Sequence, residues 1–388
     1  MRPKYVSVLD FGSSKITAMI GERGVNGTFN IRGESEVEYA GFMKGNFVEP
    51  EKLYDAIATC IVKVETNSGL KVTKLHIGVP AEFSFAVCKN ASLAFPKKTK
   101  IKSKNVLELF ELASKDVRAS NSTIISRSPI YFLLDDNRKV VSPENEVTTK
   151  LSAEVSFVLA YNTFIDTVDA IFKNMGLQEV EYISSPLAES LFALEPEVRD
   201  NGAILVDIGY LTTFVAYVKG DGILSLKEFS VGGGHVSADL CQVLQIPFSE
   251  AENLKRKVVL SLQATDSDCY EVTIAGNART VSAKLTNEIV ASRLDMISEL
   301  AIRAITPMRS TSYVPIYLTG GGVCLVAGAK DYISKKFGEN VEVVTCNVPG
   351  MNKPNYCSVL GLLDLSLKER KEANKETLWE KIKSIFKK

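Results

Sequence analysis

One pattern occurs twice in this chain, and it limits the possible folds more than any other feature. The run Val6–Ile16 (VSVLDFGSSKI) is echoed by Ala203–Thr213 (AILVDIGYLTT). Each copy is a buried-type strand ending in Asp, an apolar residue and Gly, followed by a polar turn. Each continues into a second apolar run (Ile16–Ile20; Phe214–Val218) and then a glycine turn. Asp207 follows Asp10 by 197 residues, about half of the 388 in the chain. Two related lobes facing one another are the simplest reading of such a repeat, and the length suits one large bilobed unit or two to three smaller ones.

Between the copies, short β-branched runs alternate with longer segments of helical spacing. The runs are Tyr5–Leu9, His76–Val79, Ser156–Ala160, Ala203–Val206, Val314–Leu318 and Val341–Thr345. The helical segments are Glu51–Val64, Asn105–Ser114, Thr163–Asn174 and Leu285–Ile305. In the last, the spacing predicts an apolar stripe of Leu285, Ile289, Met296, Leu300 and Ala304. Alternating strands and helices predict α/β layers. Residues 81–150, with the lysine-rich Lys97–Lys104 and a turn at Leu133–Arg138, read as a small module inserted into the first lobe. Residues 366–377 are almost wholly polar and read as a solvated helix end or linker.

Composition removes several classes of function. Lys+Arg and Asp+Glu are both 46, which argues against a nucleic-acid binder working through a basic surface. Seven cysteines without a C-x-x-C pair fit reduced thiols rather than a disulfide framework or zinc ribbon. Two histidines exclude a His-rich metal site. The first residues lack the apolar core of a signal peptide, and no apolar run reaches the roughly 18 residues of a membrane span.

The chemistry-bearing residues gather at the repeat. Glycine in each Asp-x-Gly turn lets backbone approach a ligand closely, and the amides and hydroxyls after it can hold phosphate oxygens. Asp10 and Asp207 can each hold a hydrated Mg²⁺, which takes one or two carboxylates plus water and phosphate. One such turn alone is ordinary hairpin chemistry; two in matching contexts favour a nucleotide. Two glycine triplets follow, Gly232–Gly234 and Gly320–Gly322. They suit either a ligand surface or a tight strand–helix crossing. There is no P-loop, and the dinucleotide glycine fingerprint fits poorly.

These motifs, in this order, resemble the actin/heat-shock-chaperone/sugar-kinase ATPase superfamily. Within it the chain is similar to the FtsA family, actin-like bacterial proteins of cell division. The supporting segments are Leu9–Ile16, Gly41–Gly45, Ser185–Ser190, Val206–Thr213, Gly232–Asp239, Ala251–Lys255, Glu288–Arg293, Leu318–Gly322 and the C-terminal tail. The resemblance implies an actin-like two-lobed ATPase fold with a small inserted α/β module in the first lobe. It divides the chain into a first lobe (1–80, 158–198, 354–370), the inserted module (81–157), a second lobe (199–230, 310–353) with a smaller subdomain (231–309), and a linker with an amphipathic helix (371–388).

The resemblance also implies ATP with Mg²⁺ between the lobes. Asp10 and Asp207 flank the metal. Gly12, Ser13, Ser14, Lys15, Gly209, Thr212 and Thr213 hold phosphates. Gly232, Gly233 and Gly234 line the ribose-phosphate side, Glu252 and Lys255 meet ribose and adenine, and Gly320, Gly321 and Gly322 back the base. A solvated helix face is the other reading of Glu252 and Lys255. Two departures point to slow or absent hydrolysis. The family's second turn usually runs Asp-Ile-Gly-Gly-Gly-Thr-Thr-Asp, where this chain has Tyr210, Leu211 and Phe214. The family often has Glu where Ser185 precedes Pro186, and the sequence offers no obvious carboxylate beside the attacking water.

The last residues carry another signal. Leu378, Trp379, Ile382, Ile385 and Phe386 form one stripe of a helix, and the segment from Lys375 onward has five lysines against two glutamates. A lone Trp in such a stripe suits a lipid headgroup boundary; a helix docked on the protein's own core is the other reading. The resemblance implies a peripheral protein on the inner face of the cell membrane at the division site. Its partners would be anionic lipids, other copies in a filament, and the acidic C-terminal tail of FtsZ, recognised by Arg293 and Arg303. A PilM-like pilus-assembly scaffold and, further off, a small-molecule kinase of the superfamily are the alternatives.

Overall fold

The structure is a computed structural model describing residues 5–25, 28–115, 117, 120–309 and 313–368. Two five-stranded sheets carry the repeat. In the first, Tyr5–Phe11 pairs antiparallel with Lys15–Arg23, which pairs with Phe29–Glu38; on its other side it runs parallel to Lys74–Val79 and then Glu179–Ser184. In the second, Ala203–Ile208 pairs antiparallel with Thr213–Lys219 and then Gly222–Phe229, and parallel with Ile316–Thr319 and then Val341–Val343. The order and directions are the same. The registers match as well: Asp10 faces Thr17, and Asp207 faces Phe214, each pair displaced by the repeat distance. Each Asp therefore ends a central strand beside a parallel neighbour, Gly78 for Asp10 and Thr319 for Asp207.

The strand signals in the sequence lie in strands, and the four helical segments form the helices Pro50–Ser68, Ser103–Ser114, Asn162–Asn174 and Ala283–Ile305. The apolar face of the last differs from the expected one. Leu285 and Met296 are exposed, whereas Thr286, Val290, Leu294, Ile297, Ser298, Ala301 and Ile305 are buried. That face carries Val290, Leu294, Ile297 and Ile305 into the second lobe's core, with Thr286, Ser298 and Ala301 between them.

Residues 84–161 form their own antiparallel sheet, Ser84–Lys100, Val147–Tyr161, Ser122–Leu133 and Lys139–Val140 in spatial order, covered by the helix Ser103–Ser114 over a separate core that includes Leu109, Phe132, Leu151 and Phe157. The long strand also reaches the second lobe: Ser156 Oγ donates to the Ile223 carbonyl at 2.7 Å and accepts from its amide at 3.1 Å. A further apolar cluster joins the lobes, with Val158, Leu187 and Leu194 packed on Leu205, Ala216, Val218 and Ile223.

Residues 357–368 form a helix that packs on the first lobe through Val359, Leu360, Leu362 and Leu363. This corrects the start of the expected linker. Ser366 and Leu367 are buried, the Ser366 hydroxyl donates to the Leu362 carbonyl at 2.7 Å, and Lys368 pairs with Asp364. Leu378, Trp379, Ile382, Ile385 and Phe386 lie outside the described residues. Among the described residues no helix is long and apolar enough to cross a membrane.

Candidate functional site

Both repeat turns are built alike. The Gly12 amide donates to the Lys15 carbonyl at 3.0 Å, and the Gly209 amide to the Thr212 carbonyl at 2.9 Å. These bonds hold the turn backbone and leave the strand-end carboxyls facing one another between the lobes. Asp10 is raised above the usual carboxylate range by burial, partly offset by hydrogen bonds from Ser358 and Ser185 and by the Lys15 charge; the Ser185 hydroxyl donates to Asp10 Oδ1 at 3.1 Å. Asp207 is likewise raised by burial, eased by a hydrogen bond from Glu189 and raised further by the Asp10 charge.

Glu189 is the site residue that the sequence reading missed. It is fully buried on the helix Ser185–Ala193. Its Oε1 accepts from the Thr319 hydroxyl at 3.0 Å, and its Oε2 has no ordinary hydrogen-bond partner. Burial, then the Asp207 charge, push its carboxyl far up. The signal was available: Glu189 follows Ser185 by one helical turn, so both point from one face. The sequence offers no obvious carboxylate beside the attacking water; Glu189 is a carboxyl that the fold brings next to Asp207, whose charge adds to burial in raising it.

Two half-buried aspartates beside Glu189, whose Oε2 lacks an ordinary partner, fit a divalent ion arriving with phosphate. Among the described residues no cluster of three or more ligating side chains could hold a metal ion by itself, so an ion here would have to take most of its ligands from water and phosphate, as Mg²⁺ can.

The glycine triplets are packed on the second turn. The Gly322 amide donates to the Ile208 carbonyl at 2.8 Å, Gly233 to Gly209 at 2.9 Å and Gly234 to Tyr210 at 2.7 Å. A Cβ on Gly322 would stand 2.0 Å from the Gly209 carbonyl oxygen, and one on Gly233 2.2 Å from that of Gly322. Gly320, at φ +91°, lies so near Asp207 that a Cβ would meet its Oδ1 at 2.5 Å. The tight crossing left open by the sequence is thus present, and it shapes the floor behind Asp207. Gly321 faces Asn355.

The other candidate residues divide. Ser13 accepts a hydrogen bond from the Leu211 amide at 2.9 Å. The Ser14 carbonyl accepts from the Tyr39 amide, and Lys15 pairs with Glu36. The Thr213 hydroxyl turns away and donates to the Val231 carbonyl at 2.7 Å. Glu252 and Lys255 are not a solvated face: Lys255 is buried, and its Nζ donates to the Gly233 carbonyl at 3.0 Å and pairs with Glu252 at 2.8 Å. Burial would raise Glu252, but hydrogen bonds from Lys255 and Ser237 hold it low. Lys255 Nζ also lies 5.7 Å from the centre of the Tyr210 ring.

Arg293 and Arg303 are not brought together. Arg293 forks onto Asp239 at 2.7 and 2.8 Å in a groove of about 460 Å³ that Val243, Ile289 and Met296 also line. Arg303 is outside that lining, exposed, with Glu299 at 3.8 Å.

Comparison with known proteins gives this geometry a context. The family described as "Cell division protein FtsA" matches residues 204–361. The FtsA protein of Bacillus subtilis is 23% identical over 367 residues, covering 93% of this chain and 83% of that protein. Among solved structures, a PilM–PilN type IV pilus biogenesis complex aligns with TM-score 0.64 at 16% identity, over 94% of this chain and 99% of that one. MreB5 of Spiroplasma citri bound to AMPPNP aligns with TM-score 0.54 at 12% identity, over 99% of each chain. The actin-like fold expected from the sequence is the fold of this chain, and its resemblance to FtsA holds along nearly its whole length.

Proposed function

Proceeding from that FtsA resemblance, we propose that the chain is a cell-division scaffold that binds Mg·ATP between its lobes, assembles into filaments and holds FtsZ at the membrane. The observation that carries this reading is the matched pair Asp10 and Asp207, half-buried at equivalent strand ends in two lobes of one topology. Bound Mg²⁺ supplies positive charge that screens the phosphates from these carboxylates. Asp10 and Asp207 hold the hydrated ion, the turns Gly12–Lys15 and Gly209–Thr212 face the phosphates, and Ser185 orients Asp10. Lys255, fixed by Glu252, stands behind the ribose side.

Hydrolysis is slow or absent in this account. A general base takes a proton from water in its ionised form, whereas burial and the Asp207 charge both disfavour ionisation of Glu189. Ser185 donates to Asp10 and leaves no carboxylate at its own position. ATP then acts as an assembly ligand, shifting lobe closure by its differential affinity for the closed state.

The groove beside Arg293 supports docking of an acidic peptide tail such as that of FtsZ, its apolar residues on Val243 and Met296 and its carboxylates on Arg293. Arg303 would extend the contact along the helix. The amphipathic 371–388 segment would hold the assembly on anionic lipid. A PilM-like scaffold is the second reading, favoured by the structural match; it does not call for the amphipathic tail. Co-sedimentation of the full chain and purified FtsZ with anionic liposomes, with and without ATP, separates them. FtsZ recruited to lipid only with this chain present supports the division scaffold, and liposome-independent behaviour with no FtsZ binding supports the other.

A further inference from the structure

Two thiols outside the proposed nucleotide chemistry face each other at very short range. Cys346 Sγ and Cys357 Sγ are 2.8 Å apart, and both side chains are buried. A disulfide needs about 2.05 Å, so bond formation asks for a shift of less than an ångström. The segment between them is a strap. Cys346 sits in the irregular stretch after strand Val341–Val343, and Cys357 opens the final helix. Between and just beyond them, the Pro354 carbonyl accepts from Thr319 at 3.3 Å, Asn355 abuts Gly321, the Tyr356 ring lies 5.9 Å from Lys15 Nζ, and Ser358 bonds Asp10. The strap therefore touches the first lobe at Asp10 and Lys15 and the second at Thr319 and Gly321, on the strand beside that of Asp207.

We propose that Cys346 and Cys357 are a reversible thiol–disulfide pair, and that their bond pins this strap across the two turns. The oxidant is a peroxide. The Cys346 thiol attacks one peroxide oxygen, the O–O bond breaks, and a sulfenic acid and one water form. The Cys357 thiol then attacks that sulfur, the S–O bond breaks, and the second oxygen leaves as water; the two thiols have lost two protons and two electrons. In the closed protein Cys357 is kept as a thiol by its hydrogen bond with Cys346 and by burial, so reaction needs local opening of the 344–353 stretch, the kind of sub-global motion that loops undergo. Closure of the lobes protects the pair, and by reciprocity the bond stabilises the closed strap.

The test uses the full wild-type chain treated with hydrogen peroxide, then alkylated in denaturant. Lys353 precedes Pro354, so trypsin leaves both cysteines in one peptide; cleavage at Met351 separates them. The expected result is a peptide lighter by two hydrogens, unalkylated at both cysteines, whose halves stay joined after cleavage until dithiothreitol is added. Alkylation at both positions, sulfinic acid at either, or pairing with Cys324 overturns the proposal. Cys346→Ser should abolish the bond, and because the wild-type map decides by itself, a variant that misfolds does not rescue the idea. The pinning rests on the nucleotide reading and is measured separately: release of a fluorescent ATP analogue should slow several-fold on oxidation and recover on reduction. Unchanged release with the bond mapped overturns the pinning, whereas no binding by the reduced protein counts against the nucleotide site.

Discussion

The Leu211 amide donates to the Ser13 hydroxyl at 2.9 Å, a bond that crosses from one lobe to the other and ties the two Asp-x-Gly turns together. Ser13→Ala should weaken the closed state by about 1 kcal/mol, the net worth of one such bond, and lower ATP affinity by a similar factor. Titration with a fluorescent nucleotide checks this; unchanged affinity would show that the contact is not kept in the bound form.

A second cross-lobe contact makes the protein sensitive to pH. Glu82 of the first lobe and Glu228 of the second approach each other, each with a carboxyl oxygen lacking an ordinary partner. Burial, then the Glu82 charge, push Glu228 up to about 8, and Glu82 is raised by burial while accepting from the Gly45 amide. Both shifts favour the protonated form in the fold. A carboxyl raised above its unfolded value contributes stability at low pH that is lost as pH rises toward the folded value. Thermal stability should therefore fall between the ordinary carboxylate range and about pH 8. Glu228→Gln, which keeps a donor toward Glu82, should flatten that slope in scanning calorimetry. A slope as steep as that of the wild type would assign the pH response to other groups.

How much of this was legible in the sequence follows from distance along the chain. The lobes were readable because each repeat packs its Asp, Gly and strand within a dozen residues, so the local pattern carries the geometry. Glu189 was not, because its meaning comes from Thr319, a contact 130 residues away. Thr213 looked like a phosphate ligand by position, but strand pairing turns its hydroxyl toward Val231. The buried face of Ala283–Ile305 differs from the expected stripe because it runs through Val290, Leu294, Ile297 and Ile305, with the polar Thr286 and Ser298 buried among them. Cys346 and Cys357 carry no spacing motif, and only the fold places them together.

Lys255 is expected to matter for stability as much as for ligand. Its ammonium is buried against Glu252, Ser237 shares the same carboxylate, and the Gly233 carbonyl depends on it. Removing one member of a buried pair leaves the other uncompensated, at a cost of about 3 kcal/mol. Lys255→Met should lower the denaturant midpoint accordingly, while Lys255→Met with Glu252→Gln should recover part of the loss. A single variant as stable as the wild type would mean that the pair is solvated.

The tail should bind lipid weakly per copy and firmly in an assembly. Five partly buried apolar side chains contribute at most roughly 1.5–3 kcal/mol each, against about 1–2 kcal/mol of backbone entropy per residue ordered. Filaments present many tails, and each bound tail raises the effective concentration of the next. Trp379→Glu should release the protein from anionic vesicles without changing ATP binding. Truncation after Lys368, which retains the packed 357–368 helix, should do the same; pelleting equal to that of the full chain would assign membrane binding elsewhere.

The central claim is that the two matched aspartates hold Mg·ATP between the lobes. Calorimetric titration of Mg·ATP into the wild type and into Asp10→Asn/Asp207→Asn tests it most directly, since the amides keep the shape and remove the charge. The wild type should show measurable, Mg²⁺-dependent binding, and the double variant should lose that dependence and bind at least tenfold more weakly (about 1.4 kcal/mol). Equal affinity and equal Mg²⁺ dependence in both proteins would contradict it.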